Sequence, residues 1–327
     1  MPGAPSFWFH DGVLARLLSP LSVIGAAVTA RQVARPGWQA PVPVICCGNV
    51  TVGGAGKTTL VLDLARRLTR RGHAVHILLR GYGGDSQGLH RVVSDDPVAR
   101  VGDEALLLAA AAPTWICGDR AASARAAIAA GAQVLLMDDG LQNPTLAKTF
   151  SILVIDGRTG FGNGRVLPAG PLREPVLAAA RCQAAVLIGP DATGALACLP
   201  PRLPVLCADL RQDATIEVLA GQRILAFAGI AIPDKFFVPL QQAGAVIAAT
   251  RPFPDHHPYT ARDLAALDHA AAAMNARLVT TPKDAVRLPP AFRARVTVIG
   301  VGLAWESDDR IEQCLDSVMR ANPSSSL

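Results

Sequence analysis

Aromatic residues are scarce in this sequence, with two Tyr and nine Phe among 327 residues. No basic run is interleaved with them, so the stacking platforms that bind bases are missing and nucleic acid is not the expected partner. No Cys-x-x-Cys pair occurs among the seven Cys, an odd number. That excludes a disulfide framework or a zinc site, and Cys46, Cys47 and Cys207, set in apolar runs, read as buried thiols of a reducing compartment. No internal repeat and no low-complexity linker interrupts the chain. The longest apolar stretch near the N-terminus, Leu17–Ala30, is broken by Pro20 and falls short of the roughly 20 residues a spanning helix needs. Asp11 and Arg16 precede it, which is not the basic start of a signal peptide.

What remains is ample for folding. Half of the residues are hydrophobic and the net charge is +5, so anionic partners such as acidic lipid or phosphorylated substrates suit the surface. The length fits one large α/β domain or two smaller ones. Phe7, Trp8 and Phe9 precede the short apolar segment, and Arg31, Arg35 and Trp38 follow it. Such flanks suit an amphipathic helix lying in a membrane interface; a helix packed into the protein core is the competing reading.

Apolar runs at Val42–Cys47, His73–Leu79, Val134–Met137, Ile152–Ile155 and Ala184–Ile188 read as strands. They alternate with helical patterns such as Leu60, Leu64 and Leu68, and predict a doubly wound parallel sheet. Between them, residues 157–175 are rich in Gly, Pro and Arg without periodicity, and a loop that long in a compact domain is usually functional. A second βα series follows residue 215: strands over 223–228, 245–249, 277–281 and 295–301, helices over 233–243, 261–276 and 308–320, and a Pro-Ser tail. The expected organisation is a membrane-surface helix over 1–38, a phosphate-binding domain over 39–215 and a smaller α/β half over 216–327 that closes a cleft.

The most informative motif is Gly53-Gly54-Ala55-Gly56-Lys57-Thr58, placed after a strand and before a helix. Glycines let backbone N–H groups close on phosphate oxygens, Lys57 reaches the β- and γ-phosphates, and Thr58 ligates magnesium. The strict pattern has Gly where this chain has Thr51, but the strand–loop–helix context holds. The loop expected to cradle ATP is Thr51, Val52, Gly53, Gly54, Ala55, Gly56, Lys57, Thr58 and Thr59. The strand Val134–Met137 delivers Asp138 and Asp139 at its C-terminal end, where a P-loop protein holds Mg2+. Asp103 and Glu104 open a predicted helix; on residue type alone they read first as helix-capping carboxylates. Asp255-His256-His257 lies in a Pro-rich loop without further ligands at metal spacing, so an acid–base or orienting role competes with mere solvation. Arg80 and Arg173 lie beyond strand ends, where an open α/β sheet binds its ligand, and suit phosphate or local carboxylates.

Taken together these motifs resemble the tetraacyldisaccharide 4′-kinase (lipid A 4′-kinase) family, in that family's order. They include Leu17–Ser22, Gly48-Asn49, Arg80–Gly83, Gly102–Glu104, Asp138–Gln142, the long run Gly162–Glu174, Asp255–His257 and Thr280–Asp284. The resemblance implies transfer of the γ-phosphoryl of ATP to the 4′-hydroxyl of an acylated glucosamine disaccharide 1-phosphate, at the cytoplasmic face of the inner membrane. It makes Asp103 and His256 the base pair, beside Lys57, and adds Glu104 to Thr58, Asp138 and Asp139 as magnesium ligands. Arg80, Tyr82, Arg173 and Glu174 are then expected at the substrate. Two positions depart from the family pattern: Asn143 stands where the family commonly has His, and Pro282 where it favours Glu; Lys283 receives no role. A partitioning or regulatory ATPase would carry Lys where this chain has Val52, and a soluble small-metabolite kinase is the other rival.

Overall fold

The computed structural model describes residues 4–81 and 88–320. The larger of its two sheets begins with β1 (Val44–Gly48), β2 (Val75–Leu79), β3 (His90–Arg91) and β4 (Thr114–Ile116). It continues with β5 (Val134–Asp138), β6 (Phe150–Asp156), β7 (Ala184–Ile188) and β8 (Val205–Gln212). The smaller sheet holds β9 (Arg223–Ala228), β10 (Val246–Pro252), β11 (Arg277–Thr280) and β12 (Thr297–Val298), all parallel, in the order β10-β9-β11-β12. A last strand, β13 (Val301–Trp305), returns to the larger sheet, whose order is β13-β8-β7-β6-β1-β5-β2-β4-β3. Seven central strands run parallel, and β3 and β13 close the edges antiparallel. The expected doubly wound α/β sheet with a second, smaller half is therefore what forms.

Strands β1, β2, β5 and β7 are buried along their whole length because both sheet faces are covered, which is why they read as unbroken apolar runs. Side-chain alternation sends Ile45 and Cys47 to one face and Val44 and Cys46 to the other. Helix α1 (Val13–Val33) precedes the sheet, and α2 (Lys57–Arg70) covers the first face with Leu60, Val61, Leu64 and Leu68. Short α3 (Val98–Val101) and α4 (Asp103–Ala109) follow. Helix α5 (Arg120–Ala129) packs Ala124 and Ala127 on the second face, beside Phe161, Val166 and Leu172 of the long loop. The small sheet carries α6 (Asp234–Gln242), α7 (Ala261–Ala273), α8 (Pro282–Ala285) and α9 (Pro290–Arg293).

The segment expected as one strand over 295–301 splits between the two sheets: β12 stays with the small one and β13 pairs with β8. Gly300, whose N–H donates to Asp213 at 3.0 Å, marks the crossover. Helix α10 (Asp308–Arg320) then buries Ile311, Leu315 and Val318 in the core beneath α2. Arg67 binds Glu312 at 2.5 Å and Asp308 at 2.6 Å, and Arg71 binds Asp316 at 2.8 Å. Residues 216–327 are thus not one continuous closing half, since 301–320 belong to the larger sheet. The Pro-Ser tail lies outside the described residues.

Helix α1 corrects two expectations. It runs 21 residues, with a mean hydropathy of 1.7 over its most apolar window, so it is long and apolar enough to cross a membrane by length and composition. Val13, Leu14, Ala15 and Arg16 extend the helix before the apolar stretch and Arg31, Gln32 and Val33 extend it after, and Pro20 is accommodated within it. Nor is it amphipathic in the expected sense. Leu14, Leu17, Leu21, Val23, Ile24 and Val28 are all exposed, whereas Ala15 and Ser22 are the buried residues. The face turned to the protein is small and weakly polar: Ser22 donates to Val166 O at 2.6 Å and accepts from Ala169 N at 3.2 Å. The core-helix reading does not survive this exposure.

Candidate functional site

Strand β1 delivers the phosphate loop and α2 receives it. Gly56 is the residue before α2, at φ 82°, where a Cβ would lie 2.6 Å from Ile188 Cδ1; only glycine fits both the angle and the space. The loop is braced from inside by Asn49, which accepts from Lys57 Nζ at 3.0 Å and donates to Thr51 Oγ1 at 3.0 Å. It is braced from outside by the long loop: Val52 N donates to Pro171 O at 2.9 Å, and Arg173 N to Val50 O at 2.7 Å. Gly53 and Gly54 are exposed while Ala55 and Lys57 are buried, and Thr58 and Thr59 lie in the first turn of α2. An oriented helix N-terminus of this length, with a lysine held at its mouth, is an anion site.

The two carboxylates at the end of β5 do different work. Asp138 is buried; its Oδ2 accepts from Thr58 Oγ1 at 3.1 Å, and its Oδ1 is sealed from solvent without a hydrogen-bond partner. Burial first, then the nearby Glu104 charge, push its carboxyl up to about 7. Asp139 has φ 53°, a conformation that costs energy in a non-glycine residue and tends to be kept where function requires it. Both of its oxygens accept from Arg173, at 2.9 and 3.0 Å, and Lys57 Nζ lies 3.6 Å away. Burial alone would raise this carboxyl, but Lys57 and Arg173 together hold it below the usual range. Among the described residues no three His, Cys, Asp or Glu cluster as a ready metal cage. The donor set that does fit a hard cation is Thr58 Oγ1 with Asp138, whose free oxygen lacks a partner.

A second corner joins the two halves. His256, on the loop after β10, has φ 58°, and its N–H donates to Gly229 O at 3.2 Å and to Asp255 Oδ1 at 3.1 Å. Its Nδ1 lies 3.0 Å from Asp103 Oδ2, at the start of α4. Asp103 is buried, and its Oδ1 also accepts from Glu104 N at 3.0 Å. Burial would raise its carboxyl, yet Arg287, Lys283 and His256 outweigh burial and hold it below the ordinary value. Glu104 lies on the same turn, exposed, 3.5 Å from Lys283 Nζ and close enough to be felt by Asp138. His257 is different in kind: it stacks on Phe253 and bonds Asp263 at 3.0 Å, inside the capping box of α7.

The remaining expected residues separate. Arg80 is exposed at the end of β2, whereas Tyr82 lies outside the described residues. Arg173 is drawn onto Asp139. Glu174 is turned into the protein: its carboxylate is buried and accepts from Gln142 at 2.5 Å and Arg181 at 2.6 Å, bracketing the long loop. Asn143 accepts from Thr145 N at 3.0 Å, a local turn.

Comparison with known proteins covers nearly the whole chain. The family model for LpxK, tetraacyldisaccharide-1-P 4′-kinase, matches residues 14–320. The chain belongs to this family. A tetraacyldisaccharide 4′-kinase of Gluconacetobacter diazotrophicus is 57% identical over 320 residues, covering 96% of this chain and 97% of that protein. One from Gluconobacter oxydans is 51% identical, covering 97% and 98%. The crystal structure of the "apo" form of LpxK from Aquifex aeolicus in complex with ATP matches with a TM-score of 0.76 at 24% identity, covering 94% of this chain and 100% of that one. At that identity the likeness is one of fold.

Three groups in this tetraacyldisaccharide-1-P 4′-kinase family member carried no sequence signal strong enough to single them out. Asn49 braces the phosphate loop, and the Gly48-Asn49 pair ending a strand was its only trace. Arg120 is almost wholly buried at the start of α5, donates to Cys117 O, and is pushed down to about 10, chiefly by burial. Arg287, also nearly sealed from solvent, binds Asp103 and Asp284.

Proposed function

We propose that this protein transfers the γ-phosphoryl group of ATP to the 4′-hydroxyl of tetraacyldisaccharide 1-phosphate, a step of lipid A synthesis, at the cytoplasmic surface of the inner membrane. The observation that carries the mechanism is the 3.0 Å bond between His256 and Asp103, which joins the halves beside the phosphate loop. Phosphoryl transfer asks the protein for positioning and charge neutralisation rather than covalent chemistry. Asp103 orients the imidazole through Nδ1, leaving Nε2 to accept the proton of the sugar hydroxyl as it attacks. Lys57 and the backbone N–H groups of Gly53–Thr58 neutralise charge on the β- and γ-phosphates. Thr58, Asp138 and Glu104 would hold Mg2+, and the ion would supply further charge neutralisation when bound. Asp139 serves this centre indirectly, by holding Lys57 and Arg173 at the loop's mouth. Arg80 and Tyr82, on the segment after β2, and Arg173 are the groups proposed to receive the substrate's anionic end.

The acceptor carries acyl chains that stay in a bilayer, and α1 offers an exposed apolar face to meet them. The proposed division is residues 1–38 at the membrane, 39–215 with 301–320 as the nucleotide-binding body, and the remaining small sheet as the part that presents His256. The decisive assay incubates purified protein in detergent with labelled ATP and a panel of acylated glucosamine disaccharides. Label should appear on the tetraacyl 1-phosphate at its 4′ position and not on soluble sugars. Equal labelling of soluble sugars, or ATP hydrolysis without transfer, would overturn the reading.

A further inference from the structure

The Thr280–Asp284 motif closes β11 and opens α8, far in sequence from the phosphate loop. Asp284 is fully buried and accepts four hydrogen bonds: on Oδ1 from Gly229 N at 2.9 Å, Tyr259 OH at 2.8 Å and Arg287 Nη1 at 3.2 Å, and on Oδ2 from Thr281 Oγ1 at 2.6 Å. Tyr259 and Thr281 are parts of the small half, so this carboxylate is fixed to it from several sides. Arg287 is the one group that leads outward. Its Nη1 also donates to Gly229 O at 3.0 Å, and its Nη2 donates to Asp103 Oδ2, the same oxygen that faces His256 Nδ1, a nitrogen 3.4 Å from that Nη2. Its side chain is 3% exposed.

This geometry selects a role. A guanidinium is a rigid fork whose two arms can satisfy separate acceptors at a fixed spacing. Here one arm holds the small half, through Asp284 and Gly229, and the other holds Asp103 of the large half. Without that arm, Asp103 Oδ2 would be held by the exposed His256 alone, while Oδ1 keeps its bond from Glu104 N at 3.0 Å, and the carboxylate could turn away from the imidazole. Arg287 is too buried to touch a lipid or nucleotide.

Resting on the Asp103–His256 assignment made above, we propose that Arg287, anchored by Asp284, is a positioning residue. It sets the distance between the two halves and fixes Asp103 in the orientation that holds His256 for catalysis. The Thr280–Asp284 motif thereby acquires a function: it carries the fixed end of a strap whose free end is the catalytic carboxylate.

The test is a double-mutant cycle on the full-length enzyme, with tetraacyldisaccharide 1-phosphate and ATP. Arg287→Met should lower kcat by roughly 10²-fold, the usual cost of a small misplacement of a reacting group, while KM for ATP stays unchanged. In an Asp103→Ala background, Arg287→Met should cost almost nothing more, because the group it positions is already gone. Arg287→Lys, which keeps the charge but not the fork, should retain only part of the activity. Unchanged kcat in folded Arg287→Met overturns the inference, as do fully additive losses with Asp103→Ala. If Arg287→Met does not fold, Asp284→Asn in the same cycle decides by the same criteria, because it loosens the anchor while leaving the guanidinium in place. Failure of the wild-type enzyme to label the lipid would strike the proposed function instead, and a fully active Asp103→Ala would strike the dyad.

Discussion

Asp138 and Asp103 are carboxylates on the same body of the protein, both nearly sealed from solvent, and the protein treats them in opposite ways. Asp138 keeps one oxygen without a partner, lies near Glu104 and Asp139, and is pushed up to about 7. Asp103 is enclosed by Arg287, Lys283 and His256 and is held below its ordinary value. Lys57 and Arg173 are engaged by Asp139, so the free oxygen of Asp138 is left without a positive partner, as a place built to receive a cation should be. The acceptor corner is electrostatically complete within the protein, as a place that must hold an imidazole in one orientation should be.

The largest effect that would sharpen this contrast lies at the nucleotide corner. Lys57→Ala should lower kcat by roughly 10³-fold, because backbone N–H groups alone cannot offset the charge that develops on the transferred phosphoryl group. Apparent KM for the lipid should hardly move. Turnover near the wild-type rate in a Lys57→Ala protein that melts normally would break the assignment.

At the acceptor corner, Asp103→Ala and His256→Ala should each lower kcat by about 10²–10⁴-fold, the usual range for general acid–base catalysis. The double variant should be little worse than either single one, since the two act as a unit. Nucleotide binding should be unaffected throughout. Additive losses would mean separate roles for the two residues, and an active His256→Ala would remove the dyad.

The same contrast explains how much could be read from the sequence. The nucleotide corner comes from segments that announce themselves. A glycine-rich turn between strand and helix, and an apolar strand ending in carboxylates, are local patterns fixed by the period of the chain. The acceptor corner depends on residues 153 positions apart. Asp103 by itself looked like a helix cap, and only the family resemblance paired it with His256. Arg287 had no pattern at all, because a buried arginine is recognised by its partners, and both are distant in sequence or hidden in a turn. Strand β13 and helix α10 misled for a related reason: nothing in a βα series says which sheet its last strand will join. For α1 the apolar stretch was visible, but its full length was concealed by Pro20 and by the flanking Arg16 and Arg31. Small residues, not the large apolar ones, face the protein.

That outward-facing apolar surface gives a third, smaller test that separates the corners by substrate. Replacing Leu17, Leu21 and Val28, all exposed, with Asn withdraws apolar area that would enter a bilayer without touching the contacts of Ser22. Apparent KM for the lipid should rise about tenfold or more, liposome binding should weaken, and KM for ATP should stay the same. A parallel rise in both KM values, with unchanged liposome binding, would mean that α1 serves the fold and not the membrane.

The smallest effect concerns stability, and there the two carboxylates should move in opposite directions. For Asp138 the folded pKa of about 7 lies above the ordinary carboxyl value of 3.8. Between those values the folded state binds more protons than the unfolded one, so stability falls as pH rises through the window and is lowest above it. Asp138→Asn removes that penalty. In the absence of magnesium and nucleotide, its Tm at about pH 8 should exceed that of the wild type by a few degrees, and the gain should shrink near pH 5. Asp103 has the opposite sign: its depressed pKa contributes stability above 3.8 that is lost only as pH falls through the lower folded value. Asp103→Asn should therefore lower Tm at about pH 8, since it also leaves the Arg287 guanidinium buried without its counter-charge. Adding magnesium with nucleotide should reverse the ranking at the first site, because the wild type gains binding energy that Asp138→Asn cannot match. A Tm for Asp138→Asn below wild type at about pH 8 without ligands would show that the unpartnered oxygen is compensated inside the protein, and the contrast between the two corners would fall with it.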